Sequence, residues 1–189
     1  MEPPSAIERL TSKAEHFIAI DRYDLAETEL RGALAIEPDR ADLHSMLGAA
    51  LYHQDRDAEA EEACRQAIHL APDWNASYCV LALALTNLGR HVEAEAAILD
   101  ALRIDPSDAD SYLAYARLMA KVGELQKAER LLRKCLELDP ENSGAHGLLS
   151  IVLTEKTETS GALNHGELGL AIAPDADINH AAIGVALLN

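Results

Sequence analysis

The sequence predicts an all-α repeat array, and three observations carry that prediction. Prolines recur at Pro38, Pro72, Pro106, Pro140 and Pro174, each 34 residues after the last, and only Pro3 and Pro4 lie outside the series. Each sits in a near-identical phrase at the end of a helix-forming run, such as Ala-Ile-Glu-Pro-Asp or Glu-Leu-Asp-Pro-Glu. Proline lacks an N–H and disfavours helix in the residue before it, so each one stops a helix at a fixed place. The composition agrees: 49% of residues are apolar but only 4% aromatic, with Ala and Leu dominant and β-branched runs few. Such a chain favours close-packed helices over sheets.

The period divides the chain into a lead-in (1–6), five units (7–40, 41–74, 75–108, 109–142, 143–176) and a sixth that begins at 177 and runs to 189. Small and large residues recur at matching places. The second unit has His44, Leu47, Gly48, Leu51, Ala60, Cys64, Ala67 and Pro72; the third has Tyr78, Leu81, Ala82, Leu85, Ala94, Ile98, Ala101 and Pro106. The fourth has Tyr112, Tyr115, Ala116, Met119, Ala128, Leu132, Cys135 and Pro140. The first is looser, with Leu10, Ala14, Phe17, Ala26, Leu30, Ala33 and Pro38. The fifth keeps His146, Leu149, Ser150, Leu153 and Ala162, then places Gly166 and Gly169 in its last two packing slots. This pattern resembles the tetratricopeptide repeat (TPR) family, whose unit reads W-x₂-L-G-x₂-Y, then A, then A-x₃-F, then P. The resemblance implies a right-handed α-solenoid of stacked antiparallel helix pairs, forming a single array over 7–189. It also implies that the chain binds another polypeptide.

Local signals place the elements. Ser5-x-x-Glu8 reads as a capping box opening the first helix. Gly89 and Gly123 fall where a first helix must turn into a second. Gly161, Gly166 and Gly169 lower the helix propensity of the fifth unit's second helix and remove packing side chains, so that helix is expected to be looser than its counterparts. Residues 177–189 read as one helix that is apolar nearly all round, with no polar outer face. That face implies further repeats beyond 189 or a second chain covering this end, with Ile178, Val185 and Leu188 as the self-association residues.

Charge and cysteine content narrow the function. A net charge of −16 repels nucleic acid and anionic membranes. Cys64, Cys79 and Cys135 are odd in number without CxxC spacing, which argues against a disulfide framework and for a reducing, cytoplasmic setting. No basic-then-apolar leader is visible at the start, and no apolar run is long enough for a membrane span. Eight histidines include no pair at i, i+4 and no His-Glu-x-x-His. His44, His146 and His180 occupy the large aromatic slot, where a packed, hydrogen-bonded ring is expected. His146 and His180, one unit apart, are the two able to approach each other, but a third metal ligand is lacking. Cys64 and Cys135 fall in packing slots, and Cys79 on a reachable face. Phosphate-loop and nucleophile motifs are absent, so the expectation is a non-enzymatic chain without cofactor or metal.

The family resemblance implies that the second, fifth, ninth and twelfth residues of each first helix line a concave groove. The early part of that set is polar, with Glu8, Thr11, Glu15, Asp42, Ser45 and Tyr52. The later part is mostly apolar, with Cys79, Leu83, Leu113, Ile151, Ile178, Val185 and Leu188. Arg117 interrupts it, and Lys121 lies one turn further on. The expected occupant is a helix or peptide with apolar anchors. The Lys/Asn clamp that some family members use for acidic chaperone tails is replaced by Thr11, Glu15, Met46, Ala76 and Val80. Residues 117–134 are locally basic in an otherwise acidic chain, a feature suited to steering an acidic partner or a second copy. The alternatives are a recruiting arm of a longer enzyme or membrane protein, and a homo-oligomer.

Overall fold

The computed structural model describes residues 5–188, except for the side chains of Thr159 and Leu188. Among the described residues eleven helices form and no strand. They are α1 (Ala6–Ala19), α2 (Tyr23–Ile36), α3 (Ala41–Tyr52), α4 (Asp57–Leu70), α5 (Asn75–Asn87), α6 (His91–Ile104), α7 (Ala109–Lys121), α8 (Leu125–Leu138), α9 (Ser143–Glu155), α10 (Thr159–Ile172) and α11 (Asp177–Leu188). The result is an all-α repeat array with odd-numbered first helices and even-numbered second helices. The helices gather into two compact units, Met1–Ile104 and Asp105–Asn189. In the first, α1, α3 and α5 pair with α2, α4 and α6, while α2 packs on α3, α4 on α5, and α3 lies beside α5. In the second, α7 and α9 pair with α8 and α10, while α8 packs on α9 and α10 on α11. There α9 lies between α7 and α11.

Every first helix that has a partner ends in the same turn. Asp21, Asp55, Gly89, Gly123 and Thr157, spaced by the repeat, take φ of 56°, 58°, 76°, 82° and 64°. The N–H of the next residue reaches back five residues to a helical carbonyl: Arg22 to Phe17 (2.8 Å), Arg56 to Leu51 (3.1 Å), Arg90 to Leu85 (2.9 Å), Glu124 to Met119 (2.8 Å) and Glu158 to Leu153 (2.8 Å). This is the Schellman arrangement, which satisfies carbonyls the helix itself cannot. Glycine supplies the left-handed residue at only two of the five places. At the chain start the Ser5 hydroxyl accepts from Glu8 N–H (3.2 Å) while Ser5 N–H donates to the Glu8 carboxylate (2.6 Å), completing the capping box.

The prolines carry a second device. The ring at the fourth place of each following unit bonds the proline carbonyl six residues back. His44 Nε2 donates to Pro38 (2.8 Å), Tyr78 Oη to Pro72 (3.0 Å) and Tyr112 Oη to Pro106 (3.2 Å). His146 Nε2 does so to Pro140 (3.1 Å) and His180 Nε2 to Pro174 (2.6 Å). Each bond satisfies a carbonyl that no helix N–H reaches. The large-slot histidines are therefore structural donors.

Close packing explains the small slots. A Cβ on Gly48 would stand 2.5 Å from Cys64 Sγ, so only glycine lets α3 sit this tightly on α4. Ala26, Ala33, Ala60, Ala67, Ala94 and Ala101 are fully buried along the second helices. The fifth unit corrects the expectation of missing packing. The space left by Gly166 and Gly169 is filled from α11: added Cβ atoms would meet Ile183 Cγ1 at 2.7 Å and Asn179 Oδ1 at 2.5 Å. A Cβ on Gly147 would meet the same Oδ1 at 2.5 Å. Asn179 is fully buried between these glycines, and its Nδ2 donates to the carbonyls of Gly169 (2.8 Å) and Ala173 (3.3 Å) at the end of α10.

On the outer surface of the first unit, ion pairs join consecutive second helices. Arg31 and Arg56 each bond both Glu27 and Glu59, with Arg56–Glu27 at 2.5 Å. One repeat later, Arg65 and Arg90 each bond both Glu61 and Glu93. Glu27 and Glu61 are the most covered members, at 14% and 15% side-chain exposure, which limits screening by water. In Asp105–Asn189, Glu129 accepts from Lys156 and Arg133, and those bonds hold its carboxyl below the usual range against some burial.

Candidate functional site

The sequence-predicted groove residues fall on both units. In the first unit, Thr11 and Glu15 line one hollow of about 200 Å³ on α1, together with Ile7, Glu8 and Arg40. Arg40 is bound there by Asp42 (2.6 Å) and Glu37 (3.0 Å), and the hydrogen bonds to those carboxylates raise its pKa while lowering that of Asp42. Tyr52 is half-buried and stands edge-on to His53 at 5.4 Å. Leu83 is half-buried on α5.

Ser45 and Cys79 depart from expectation, since each is only 7% exposed. A fifth-place side chain points between neighbouring first helices, as at Gly147, where Ile178 and Asn179 crowd the Cα. A short side chain there stays below the surface, whereas the longer Leu113 at the same place reaches it and is half-buried. Cys79 is thus not a reachable thiol. Cys64 and Cys135 are buried as well, and burial pushes both thiols up to about 12.

In the second unit α7, α9 and α11 bring Leu113, Arg117 and Lys121 onto one layer with Ile151, Ile178 and Val185. Arg117 and Ile151 are half-buried, Lys121 is exposed, and Val185 is 41% exposed. Ile178 is half-buried and leans on Gly147 of α9, where an added Cβ would meet it at 3.2 Å. The Leu188 side chain lies outside the described residues. Leu113 and Arg117 flank Gly144, where an added Cβ would meet Leu113 Cδ2 at 3.3 Å and Arg117 Nη2 at 3.9 Å. Asp110, on the same helix, has its pKa raised by burial and by Asp108, while Asn142 opposes the shift.

Part of the basic segment is neutralised by carboxylates, at Arg133 and Lys134. Lys127 donates to Tyr115 Oη (2.6 Å) and lies 4.4 Å from that ring's centroid; Arg133 bonds Glu129, and Lys134 bonds Glu137. Arg117, Lys121 and Arg130 form no ion pair among the described residues. His146 does not meet His180. Its Nδ1 lies 3.0 Å from His165 Nδ1 on α10 instead. Among the described residues no group of three His, Cys, Asp or Glu side chains is arranged to hold a metal ion. No described helix is long and apolar enough to cross a membrane.

The outer surface of the first unit holds clefts that sequence reasoning passed over. One of about 390 Å³ has an apolar floor of Ile68, Leu81, Leu85 and Ala97, rimmed by Arg65 and Glu93. One repeat earlier a cleft of about 230 Å³ uses Leu47, Leu51 and Ala63, rimmed by Arg31 and Glu59. The 34-residue recurrence of the Arg and Glu rim was the available signal.

The fold is that of known repeat proteins. A thermophilic TPR protein from Thermus thermophilus matches with a TM-score of 0.88 at 23% identity, over 97% of this chain and 100% of that one. Pseudomonas aeruginosa pilF gives 0.72 at 18% identity, over 97% and 84%. YrrB, described as a TPR protein with an unusual peptide-binding site, gives 0.57 at 17% identity, over 92% and 89%. At such identities the likeness is one of fold. Comparison with curated protein sequences gives no match. Family models of the tetratricopeptide repeat match residues 11–75 and 85–150, well over half of the sequence, and the chain belongs to that family.

Proposed function

We propose that this chain is a non-catalytic scaffold for protein–protein contact, whose first-helix faces take a helix or extended peptide through apolar anchors. One observation carries the reading: Leu113 and Ile151 remain part-exposed on adjoining first helices beside Arg117, a half-buried cation without an ion-pair partner among the described residues. Apolar side chains held at a surface beside an unsatisfied charge favour a partner that supplies apolar contact and a carboxylate. Leu83 offers a similar anchor in the first unit. The peptide-binding site in the description of YrrB, which shares the fold, supports the class of ligand. Three buried cysteines, none of them in a disulfide, support a reducing, cytoplasmic setting.

A partner recovered by affinity capture and mapped to a binding peptide provides the assay. Leu113→Glu, or Leu83→Glu if the peptide engages the first unit, abolishes binding with unchanged circular dichroism. Loss of helicity instead would place these residues in the core and sink the reading.

A further inference from the structure

Helices α4 and α6 both pack on α5, and the cleft of about 390 Å³ lies between them. That volume falls within the range of about 300–1,000 Å³ in which proteins seat ligand groups. Two small residues of α6 line it, Ala97 and the exposed Ala96; one repeat earlier, where Glu62 stands in place of Ala96, the cleft is about 230 Å³. Tyr78 also lines it, a half-buried ring fixed by its bond to the Pro72 carbonyl (3.0 Å). The fifth repeat shows what this place accepts. There the counterparts of Tyr78 and Ala97 are His146 and His165. The His165 ring of α10 stands against the His146 ring of α9, with centroids 5.2 Å apart and planes tilted by 31°. Where α6 carries alanine that ring is missing, and the place beside Tyr78 is open.

We propose that this cleft receives an aromatic side chain of another polypeptide, carried between arginine or lysine neighbours. The chain itself specifies both parts of that chemistry. A ring against Tyr78 repeats the contact that His165 makes with His146, over the apolar floor of Ile68, Leu81 and Leu85. Tilted ring pairs are favoured beyond the apolar area they bury. Charge selects the neighbours of the ring. Together α4 and α6 carry seven carboxylates against two arginines, Arg65 and Arg103. Arg65 is already bound to Glu61 (2.9 Å) and Glu93 (3.4 Å), and Asp100 at the rim is half-exposed, with Arg103 at 3.5 Å. A cation beside the ring gains from that field and an anion is repelled by it. A second copy fits poorly: its exposed tryptophan, Trp74, is flanked by Asp73 and Asn75, in a chain of net charge −16. None of the residues that line the cleft is an anchor residue of the face proposed above, so the inference stands without that reading.

The test titrates the ¹⁵N-labelled 189-residue chain with an end-blocked Ala-Arg-Trp-Arg-Ala peptide. Saturable amide shifts centre on Ile68, Tyr78 and Ala97, and the Ala-Arg-Ala-Arg-Ala control, equal in charge, produces none there. Ala97→His sets an imidazole against Tyr78 as His165 stands against His146, and abolishes the shifts. Asp100→Lys changes an exposed rim residue, keeps the fold even if Ala97→His does not, and weakens binding at least about threefold at low salt, less at high salt. Leu113→Glu leaves binding unchanged, which separates this site from the anchor face. The proposal is overturned by absence of saturable shifts, by equal shifts with the control peptide, or by binding indifferent to Asp100→Lys or to a folded Ala97→His. So does a concentration-dependent dimer that Ala97→His dissolves overturn it, since a second copy would then be the occupant.

Discussion

Thr157 holds a β-branched side chain at φ 64°, where its counterparts in the third and fourth units are glycine. A left-handed conformation costs an ordinary residue about 1–2 kcal/mol, while glycine adopts it freely at a smaller entropic cost in the unfolded chain. Thr157→Gly therefore raises stability by about 0.5–1 kcal/mol in urea denaturation, and Gly123→Ala lowers it by about 1 kcal/mol. An unchanged midpoint for Thr157→Gly would mean the turn carries no strain there. His165 makes a different kind of demand. His146 gives its Nε2 proton to Pro140, so its Nδ1 accepts from His165 Nδ1–H. Burial, then His146 and Arg133, push the His165 pKa below the usual 6.5. The unfolded chain thus takes up a proton before the folded one does as pH falls. The stability contributed by neutral His165 is full above 6.5 and is lost on acidification through the lowered folded value. Between about pH 7 and pH 5.5 the native chain loses more stability than His165→Gln, measured by thermal melts across that range.

Helix α10 shows how an element's propensity misleads without its neighbour. Three glycines in fourteen residues read as a weak helix, and propensity alone does not show that Asn179 and Ile183 occupy the vacated slots. Asparagine at the first-helix place held by Ser77, Ser111 and Ala145 in earlier units was the visible anomaly. The two glycines Gly169 and Gly184 separate packing from propensity, since Gly→Ala in an open helix interior gains about 0.8–1 kcal/mol. Gly184→Ala meets open space and realises that gain. Gly169→Ala drives a Cβ to 2.5 Å from a buried amide whose bonds close α10, so it destabilises in spite of the better helix former. Urea midpoints moving in opposite directions are the expected result. Equal gains would show that α11 yields readily.

For the whole molecule, the 34-residue register made the class of every helix legible, because proline, the small slots and the left-handed turn recur at fixed offsets. Burial at the predicted binding face was less legible. Position in the repeat assigned Ser45, Cys79 and Leu113 to one class, but side-chain length decides which of them reaches water. Long-range pairings were the least legible, as when His146 meets His165 and not its repeat-mate. The ion-pair quartets of the first unit bear on how such a chain changes over time. Glu27 and Arg31 face Arg56 and Glu59 just as Glu61 and Arg65 face Arg90 and Glu93. An in-frame loss of residues 41–74 would bring Glu27 and Arg31 against Arg90 and Glu93, the same chemistry in the same register. Copying that segment would likewise create one more matching junction. At this charged seam, recombination that shortens or lengthens the stretch therefore preserves the pairing of opposite charges.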